Sequence, residues 1–291
     1  MTAAPGAPRN AMSVDVEDWF QVQAMADAIP RTQWDSLPSR VERSTERILA
    51  LFAQARTRAT FFTLGWVAER HPGLVHRIVA EGHELASHGW DHRLVTSLTP
   101  EAFARDVGRT RRLLEDVGGV PVLGYRAPTF SIGPANPWAF ATLAQEGYRY
   151  SSSTFPIRHD LYGAPDAPRI PHRPPGTLLW ELPMTTVRLG GRNLPCSGGG
   201  WFRLAPYALF RAGLRRVNAG EGGAPGIPGL FYFHPWEVDP GQPRVRGLRP
   251  LARFRHTVNL SRMEGRVARL LGDFAWDRMD RVFAPLLEAE G

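Results

Sequence analysis

Apolar positions along this chain form short unbroken runs that alternate with longer stretches of helical spacing. The apolar runs predict strands at residues 11–16, 58–64, 84–87, 122–125, 148–150, 178–182 and 230–233. Helical spacing predicts helices at residues 39–55, 67–80 with an interruption at Pro72, 100–116, 138–146, and within the tail from 261 to 287. Strands that alternate with helices in this way predict a parallel α/β sheet, open or closed into a barrel.

Polar residues collect where the predicted strands end. They are Asp15, Glu17, Asp18, His88, Arg126, Ser151, Glu181 and His234. The carboxyl ends of the strands of a (β/α) barrel form one rim, and active sites are built on that rim. We therefore expect these side chains to share one site.

The chain also divides into segments of different composition. Residues 1–10 are rich in alanine and proline and are predicted to be a disordered tail, and residues 11–291 to be one domain. The glycine-rich stretches 190–200 and 220–229 are predicted to be long loops, of the kind that act as lids. No apolar run approaches the ~18 residues of a membrane span, and the N-terminus lacks the apolar region of a signal peptide. We expect a cytoplasmic protein.

Composition changes this picture little. The net charge is +7, and all 35 basic residues are arginine. These arginines are scattered, without the basic stripes and interleaved aromatic residues of a nucleic-acid interface, so we expect no nucleic-acid partner. Cys196 is the single cysteine, which excludes an internal disulfide.

The strongest chemical signal is a pair of histidines, His88 and His92, four residues apart. This spacing can present both imidazoles on one side of a turn, as paired metal ligands require. The acidic cluster of residues 15–18 can supply a third ligand and a separate base. A divalent metal held in this way activates water near neutral pH.

Several motifs, in this order, resemble the NodB-type polysaccharide deacetylases, carbohydrate esterase family 4. They are Asp-x-Glu-Asp, His-x-x-x-His, Arg-x-Pro, and a strand followed by histidine. The longer strings SVDVEDWF, SHGWDH, YRAPTFSI, GGGWFRLAPY, YFHPWEVDPGQPR and FRHTVNLSR resemble the branch associated with exosortase A (PEP-CTERM) systems of exopolysaccharide production. The resemblance covers about residues 11–275. It implies a distorted (β/α)7 barrel, with a family-specific C-terminal extension at about 190–291.

The resemblance also implies a metal site and a base. Asp15 matches the catalytic base, and His88 and His92 match the histidine ligands. The third ligand is Glu17 or Asp18: Glu17 projects from the same strand face as Asp15, and Asp18 follows the strand. These donors suit Zn²⁺, with Co²⁺, Ni²⁺ or Mn²⁺ as alternatives.

Further positions match the rest of the family's machinery. Arg126 matches the arginine that orients the base by a bidentate contact, and Thr129 matches the position whose backbone N–H stabilises the oxyanion. His234 matches the general acid. Many relatives tune this histidine with an aspartate, whereas this chain has Ser151 there; Glu237 or Asp239 can compensate.

Aromatic residues flank these motifs: Trp19, Trp90, Trp201, Phe202 and Trp236. Aromatic faces suit sugar rings, and core packing is the alternative. We expect two or three of the five at a substrate groove, with Trp90, Trp201 and Trp236 as the candidates.

The resemblance implies a metal-dependent hydrolase that removes acetyl groups from N-acetylhexosamine units. The substrate would be an exopolysaccharide or its lipid-linked precursor, and exopolysaccharide synthesis machinery a possible partner. Two alternatives stay open. One is a glycan-binding barrel that the change at Ser151 has weakened catalytically; the other is a small-molecule amidohydrolase, as in the allantoinase-like branch of the superfamily.

Overall fold

The computed structural model describes residues 10–222 and 225–288. The strands are β1 Asn10–Val16, β2 Thr60–Thr63, β3 Glu84–Ser87, β4 Gly124–Tyr125, β5 Tyr150–Ser151, β6 Trp180–Glu181, β7 Thr186–Leu189, β8 Arg192–Pro195, β9 Leu230–Phe233 and β10 Trp276–Asp277. The helices are α1 Val41–Gln54, α2 Gly65–Arg70, α3 Pro72–Ala80, α4 Pro100–Gly118, α5 Trp138–Gln145, α6 Gly199–Leu204, α7 Tyr207–Ala219, α8 Pro250–Thr257, α9 Leu260–Asp273, α10 Met279–Val282 and α11 Ala284–Leu287. Every predicted strand and helix therefore has a counterpart.

The main sheet is parallel and curls into a barrel. Its strands run in the order β10-β1-β2-β3-β4-β5-β6, and β9 also pairs with β1. The Leu230 N–H at the start of β9 donates to Thr185 Oγ1 (2.6 Å), just beyond β6, and so links the two ends of the sheet. The prediction of a distorted (β/α)7 barrel is confirmed.

Apolar burial on both faces of the sheet explains why its strands are nearly continuous hydrophobic runs. Ile48 and Phe52 of α1 pack into the large outer cluster with Phe61 and Phe231. Inside the barrel, Phe62 belongs to a second cluster of buried apolar residues. Burial of each such side chain contributes about 1.5–3 kcal/mol. This core fixes the strands, and with them the residues at their carboxyl ends.

The longest helix follows its sequence signals closely. Thr99 Oγ1 accepts a hydrogen bond from the Ala102 N–H (3.2 Å), and Pro100 occupies the first turn. The helix ends at Gly119, whose φ of 65° is the left-handed conformation that favours glycine. α4 packs against α2, α3, α5 and β3, and so encloses one side of the barrel.

One prediction about the C-terminal third was wrong. Residues 190–200 are not a long loop: Gly190 and Gly191, both with positive φ, form a tight turn between antiparallel β7 and β8, and α6 begins at Gly199. The tail holds helices α9, α10 and α11, as predicted, and the strand β10 between α9 and α10 pairs with the start of β1. The other predicted lid, residues 220–229, includes 223–224, which lie outside the described residues.

The predicted N-terminal tail also falls largely outside them, since residues 1–9 are not described. Asn10, predicted as its last residue, instead begins β1. Across the parts of the chain that the structure describes, no helix has the length and apolar character needed to cross a membrane.

Candidate active site

Four strands deliver the predicted site residues to one end of the barrel. β1 carries Asp15 and leads into Glu17, β3 ends immediately before His88, β4 before Arg126 and β9 before His234. All five side chains lie at the carboxyl rim, as in other (β/α) barrels.

Three of these residues form a cluster suited to a metal ion. The ligand atoms of Glu17, His88 and His92 all lie within 4.8 Å of one another, and all three residues are buried. Glu17 Oε2 accepts no hydrogen bond from the described residues, although His92 Nε2 lies 3.0 Å away. A buried carboxylate oxygen without a donor is costly, and a bound cation would satisfy it. Two imidazoles and one carboxylate fit a zinc-type ion.

The charge on Glu17 is strongly favoured. Burial alone would raise the pKa of this carboxyl, but the charges of His92 and His234 outweigh burial and lower the pKa to about 2. Trp236 Nε1–H also donates to Glu17 Oε1 (3.1 Å). Glu17 is therefore an ionised carboxylate in which Oε1 accepts from Trp236 and Oε2 accepts from none of the described residues.

The two histidines are held by different means. His88 Nδ1 lies 2.8 Å from the Arg126 carbonyl oxygen, which directs Nε2 into the cluster. Burial lowers the pKa of His88 to about 4, so the ring is neutral, as a ligand must be. His92 has a left-handed φ of 58°, and Arg31 donates to the carbonyls of Asp91 and His92 at 2.8 and 3.0 Å. Backbone strain of this kind is concentrated at functional sites.

Asp18 is directed away from this cluster. Its Oδ2 accepts hydrogen bonds from the Ser39 hydroxyl (2.7 Å) and from the N–H groups of Arg40 (2.8 Å) and Val41 (3.1 Å), at the start of α1. Burial raises the pKa of Asp18 against these hydrogen bonds. Of the two ligand alternatives, the structure brings Glu17 to the histidines and makes Asp18 a helix cap.

Asp15 and Arg126 form a buried ion pair. Arg126 Nη1 donates to Asp15 Oδ1 (2.5 Å) and to Ser13 Oγ (2.9 Å), and its other nitrogens donate to the carbonyl and hydroxyl of Ser152. The prediction of a bidentate contact is wrong, because only one nitrogen of the Arg126 guanidinium donates to Asp15. Arg126 instead links Asp15 to Ser152, the residue after β5, and leaves Asp15 Oδ2 outside the pair.

His234 faces both carboxylates. Its Nε2 lies 3.5 Å from Glu17 Oε1 and 4.0 Å from Asp15 Oδ2. Its Nδ1 lies 2.8 Å from Glu237 Oε1, and Arg203 Nε donates to Glu237 Oε2 (2.7 Å). Burial opposes the charged imidazole, but Glu17, Glu237 and Asp15 outweigh burial and raise the pKa of His234 to about 9.

Two other rim residues have structural partners. The Ser151 hydroxyl donates to Ser153 Oγ (2.8 Å). Glu181 Oε1 accepts from the N–H groups of Ser153 and Thr154 and from the Thr154 hydroxyl, at 2.7–2.9 Å. Ser151 thus belongs to a network at the end of β5, where the family motif predicts a partner of the general acid.

Thr129 follows Arg126 on a strained segment. Thr129 and Phe130 both have left-handed backbones, with φ of 55° and 49°. Neither is glycine, so this conformation is costly and must be imposed by the surrounding structure. The strain is consistent with a backbone that presents an N–H group to a ligand.

The prediction that Trp236 stacks on a sugar is wrong. Trp236 is buried, and its ring stacks with both His234 (centroids 5.1 Å apart) and His256 (4.4 Å), so it packs in the core beside the site. Trp19 and Phe202 are also buried, whereas Trp90 and Trp201 are half-exposed. Trp90 itself packs under the Arg109 guanidinium, 3.2 Å from the ring centroid.

Comparisons with known proteins agree with the fold. Residues 32–151 match the model of the polysaccharide deacetylase family, and residues 152–284 match a model described as a domain of unknown function (DUF3473). Residues 32–151 are therefore similar to the polysaccharide deacetylases. His88, His92 and Arg126 fall in the first match and His234 in the second, so both regions contribute to one site.

Curated relatives match over shorter stretches. A peptidoglycan-N-acetylglucosamine deacetylase of Bacillus cereus is 30% identical over 105 residues, 36% of this chain and 47% of the relative. A chitooligosaccharide deacetylase of Rhizobium leguminosarum bv. trifolii is 40% identical over 70 residues, 24% of this chain and 33% of the relative. The chain therefore spans less than half the length of these relatives.

Two solved structures share the fold. A polysaccharide deacetylase structure from Mycobacterium smegmatis has a TM-score of 0.58 at 16% identity and covers 98% of this chain, with 92% of its own length matched. An allantoinase structure has a TM-score of 0.61 at 17% identity, with 99% of this chain and 93% of that structure covered. At these identities the likeness concerns the barrel alone.

Proposed function

We propose that this protein is a metal-dependent deacetylase acting on N-acetylhexosamine units of a polysaccharide. The observation that carries the proposal is the Glu17, His88 and His92 cluster beside Asp15 and His234. The chemistry requires a metal site, a base and an acid within a few ångströms of one another, and these five side chains supply them. A bound divalent ion would polarise the acetyl carbonyl and lower the pKa of water.

The residues of the chain have separate roles in this reaction. Asp15, held by Arg126, takes a proton from the attacking water while the oxygen of that water bonds to the acetyl carbon. The Thr129 N–H donates to the oxyanion. His234 Nε2–H then gives a proton to the departing nitrogen as the C–N bond breaks, and acetate and a free amine are the products.

Substrate and context extend this proposal. The Bacillus and Rhizobium relatives are named for deacetylation of peptidoglycan and chitooligosaccharide, which supports an N-acetylated glycan as the substrate class. The exosortase-associated motifs favour an exopolysaccharide or its lipid-linked precursor, and synthesis machinery as a partner. Residues 11–291 would act as one domain, since β9 and β10 both pair with β1. Cytoplasmic residence stays a prediction.

The test is acetate release from N-acetylglucosamine oligomers and from an acetylated exopolysaccharide. The protein would be stripped with a chelator, reloaded separately with zinc, cobalt, nickel or manganese, and analysed for bound metal. We expect metal-dependent release from the wild type. His88→Ala should lose both metal and activity, whereas His76→Ala, at an exposed position on α3, should lose neither.

Two outcomes would contradict the proposal. Stoichiometric metal without acetate release from either substrate would favour a glycan-binding barrel. Release that persists after the metal is removed would favour a metal-free amidohydrolase of the same superfamily.

A further inference from the structure

We infer that Glu237 is the positioning residue of the general acid His234, and that Arg203 and Gly199 build the socket which holds it. The inference rests on the proposed function and adds to it a role for the C-terminal region. In that region, a carboxylate from outside the polysaccharide deacetylase match takes the role of the aspartate that many relatives have at the position of Ser151.

The geometry between Glu237 and His234 is specific. Glu237 Oε1 lies 2.8 Å from His234 Nδ1 and also accepts from the His234 backbone N–H (3.2 Å). A carboxylate that accepts from a charged arginine can only accept from the imidazole, so Nδ1 carries the proton of that hydrogen bond. Nε2 is thereby turned toward Asp15 and Glu17, where the leaving group would lie.

The other oxygen of Glu237 is held by Arg203. Both side chains are almost completely buried, and Arg203 Nε donates to Glu237 Oε2 at 2.7 Å. The remaining nitrogens of Arg203 donate to the carbonyls of Arg255 (3.0 Å), His256 (3.3 Å) and Val258 (2.5 Å). Three backbone carbonyls therefore hold the guanidinium in place, and its Nε–H faces the Glu237 carboxylate.

Gly199 opens the space that the Glu237 carboxylate needs. A Cβ at Gly199 would lie 2.1 Å from Glu237 Oε1, which is closer than real contacts allow. At the next residue, Gly200, a Cβ would meet no described atom within 4 Å. The string GGGWFR therefore has a physical reason: one glycine admits the Glu237 carboxylate, and the arginine four residues later neutralises it.

The first experiment separates proton donation from the rest of the reaction. An N-acetyl sugar needs a proton on its leaving nitrogen, whereas 4-nitrophenyl acetate releases a stable phenolate that needs none. We expect Glu237→Gln to lower kcat for acetate release from N-acetylglucosamine oligomers about 100-fold. Its KM, its zinc content and its 4-nitrophenyl acetate hydrolysis should stay within about threefold of the wild type.

Matched variants control for damage to the fold. Gly199→Ala should reproduce the selective loss of amide hydrolysis, and Gly200→Ala should match the wild type. Asp239→Asn removes another paired carboxylate, one bonded to Arg40 rather than to His234, and should leave the ratio of the two activities unchanged. Equal losses on both substrates in Glu237→Gln, or a loss in Gly200→Ala as large as in Gly199→Ala, would overturn the inference.

A second measurement does not depend on turnover. In ¹⁵N-histidine NMR spectra, the His234 signal, identified with His234→Ala, should show a proton on Nδ1 in the wild type. That proton should move upfield or be lost in Glu237→Gln and in Gly199→Ala, and should be retained in Gly200→Ala. Should the wild type release no acetate at all, the proposed function fails while this spectrum still decides whether Glu237 holds His234; an unchanged spectrum would refute that.

Discussion

The two ends of the barrel each bury a glutamate, and the pKa values of the two carboxyl groups are shifted in opposite directions. Glu17 at the carboxyl end has a pKa lowered to about 2 and one oxygen without a donor among the described residues. Glu84, at the start of β3 on the amino end, has a pKa raised to about 7, first by burial and then by the charge of Asp280.

The difference lies in their partners. Glu84 accepts from the hydroxyls of Thr60 (2.5 Å) and Tyr150 (2.7 Å) and from the Asp280 N–H (3.1 Å), so both of its oxygens are satisfied within the fold. Glu17 is surrounded instead by imidazoles, and its Oε2 accepts no hydrogen bond from the described residues. Buried carboxylate oxygens that are all paired stabilise the fold, whereas an unpaired oxygen beside two imidazoles is one that a bound cation would satisfy.

The largest effect should come from the carboxyl end. Asp15→Asn keeps an oxygen for Arg126 but cannot take a proton from water, so we expect acetate release to fall by about 1,000-fold or more. Zinc content should change little, because the metal cluster is intact, whereas the free energy of unfolding should fall by about 3–5 kcal/mol because the buried Arg126 loses its counter-charge. An activity loss that tracks zinc loss would assign Asp15 to the metal instead.

The amino end should respond in stability and not in activity. The folded-state pKa of Glu84 is raised from its usual 4.5 to about 7, so its contribution favours folding below pH 4.5 and is lost as the pH rises to 7. Glu84→Gln should remove this loss. The free energy of unfolding of the variant should therefore rise relative to that of the wild type by on the order of 3 kcal/mol between pH 5 and pH 8. Urea unfolding at pH 5 and at pH 8 measures this gain, with Glu264→Gln, a partly exposed carboxylate, as the control. A gain that is independent of pH would refute the assignment.

A smaller effect should separate a cap from a ligand. Asp18→Ala removes the acceptor at the start of α1 and should cost about 2 kcal/mol of unfolding free energy. Its zinc content should equal that of the wild type, whereas Glu17→Gln should lose zinc. Zinc loss in Asp18→Ala at full stability would reverse the two roles.

The sequence could predict those parts of the fold and the site that depend on local pattern, and not those that depend on contacts between residues far apart in the chain. Strand ends placed Asp15, His88, Arg126 and His234 on one rim, because a parallel barrel gathers its carboxyl ends whatever the details of packing. Strand alternation also favoured Glu17 over Asp18. The helix-cap role of Asp18 depends on α1, which begins 23 residues later, and no local pattern signals it.

The C-terminal third was harder to predict for the same reason. Glycines at 190–191 and 198–200 resemble a flexible loop, yet one pair closes a hairpin and Gly199 admits a carboxylate from 38 residues away. The Arg203–Glu237 pair spans 34 residues. Trp236 was wrongly predicted to stack on a sugar because the sequence does not show that this ring is buried and stacked with His256, 20 residues away.

The smallest effect should come from Ser151, the residue that stands where many relatives have an aspartate. Its hydroxyl donates to Ser153, which keeps a hydrogen bond from the Ala127 N–H when Ser151 is changed. Ser151→Ala should therefore cost about 0.5 kcal/mol of stability and change acetate release less than twofold, in the same assay in which Glu237→Gln loses about 100-fold. A large loss in Ser151→Ala would mean that the end of β5 still serves the general acid. The small loss we expect would mean that this role has moved to the C-terminal region, where the Arg203 guanidinium holds the Glu237 carboxylate.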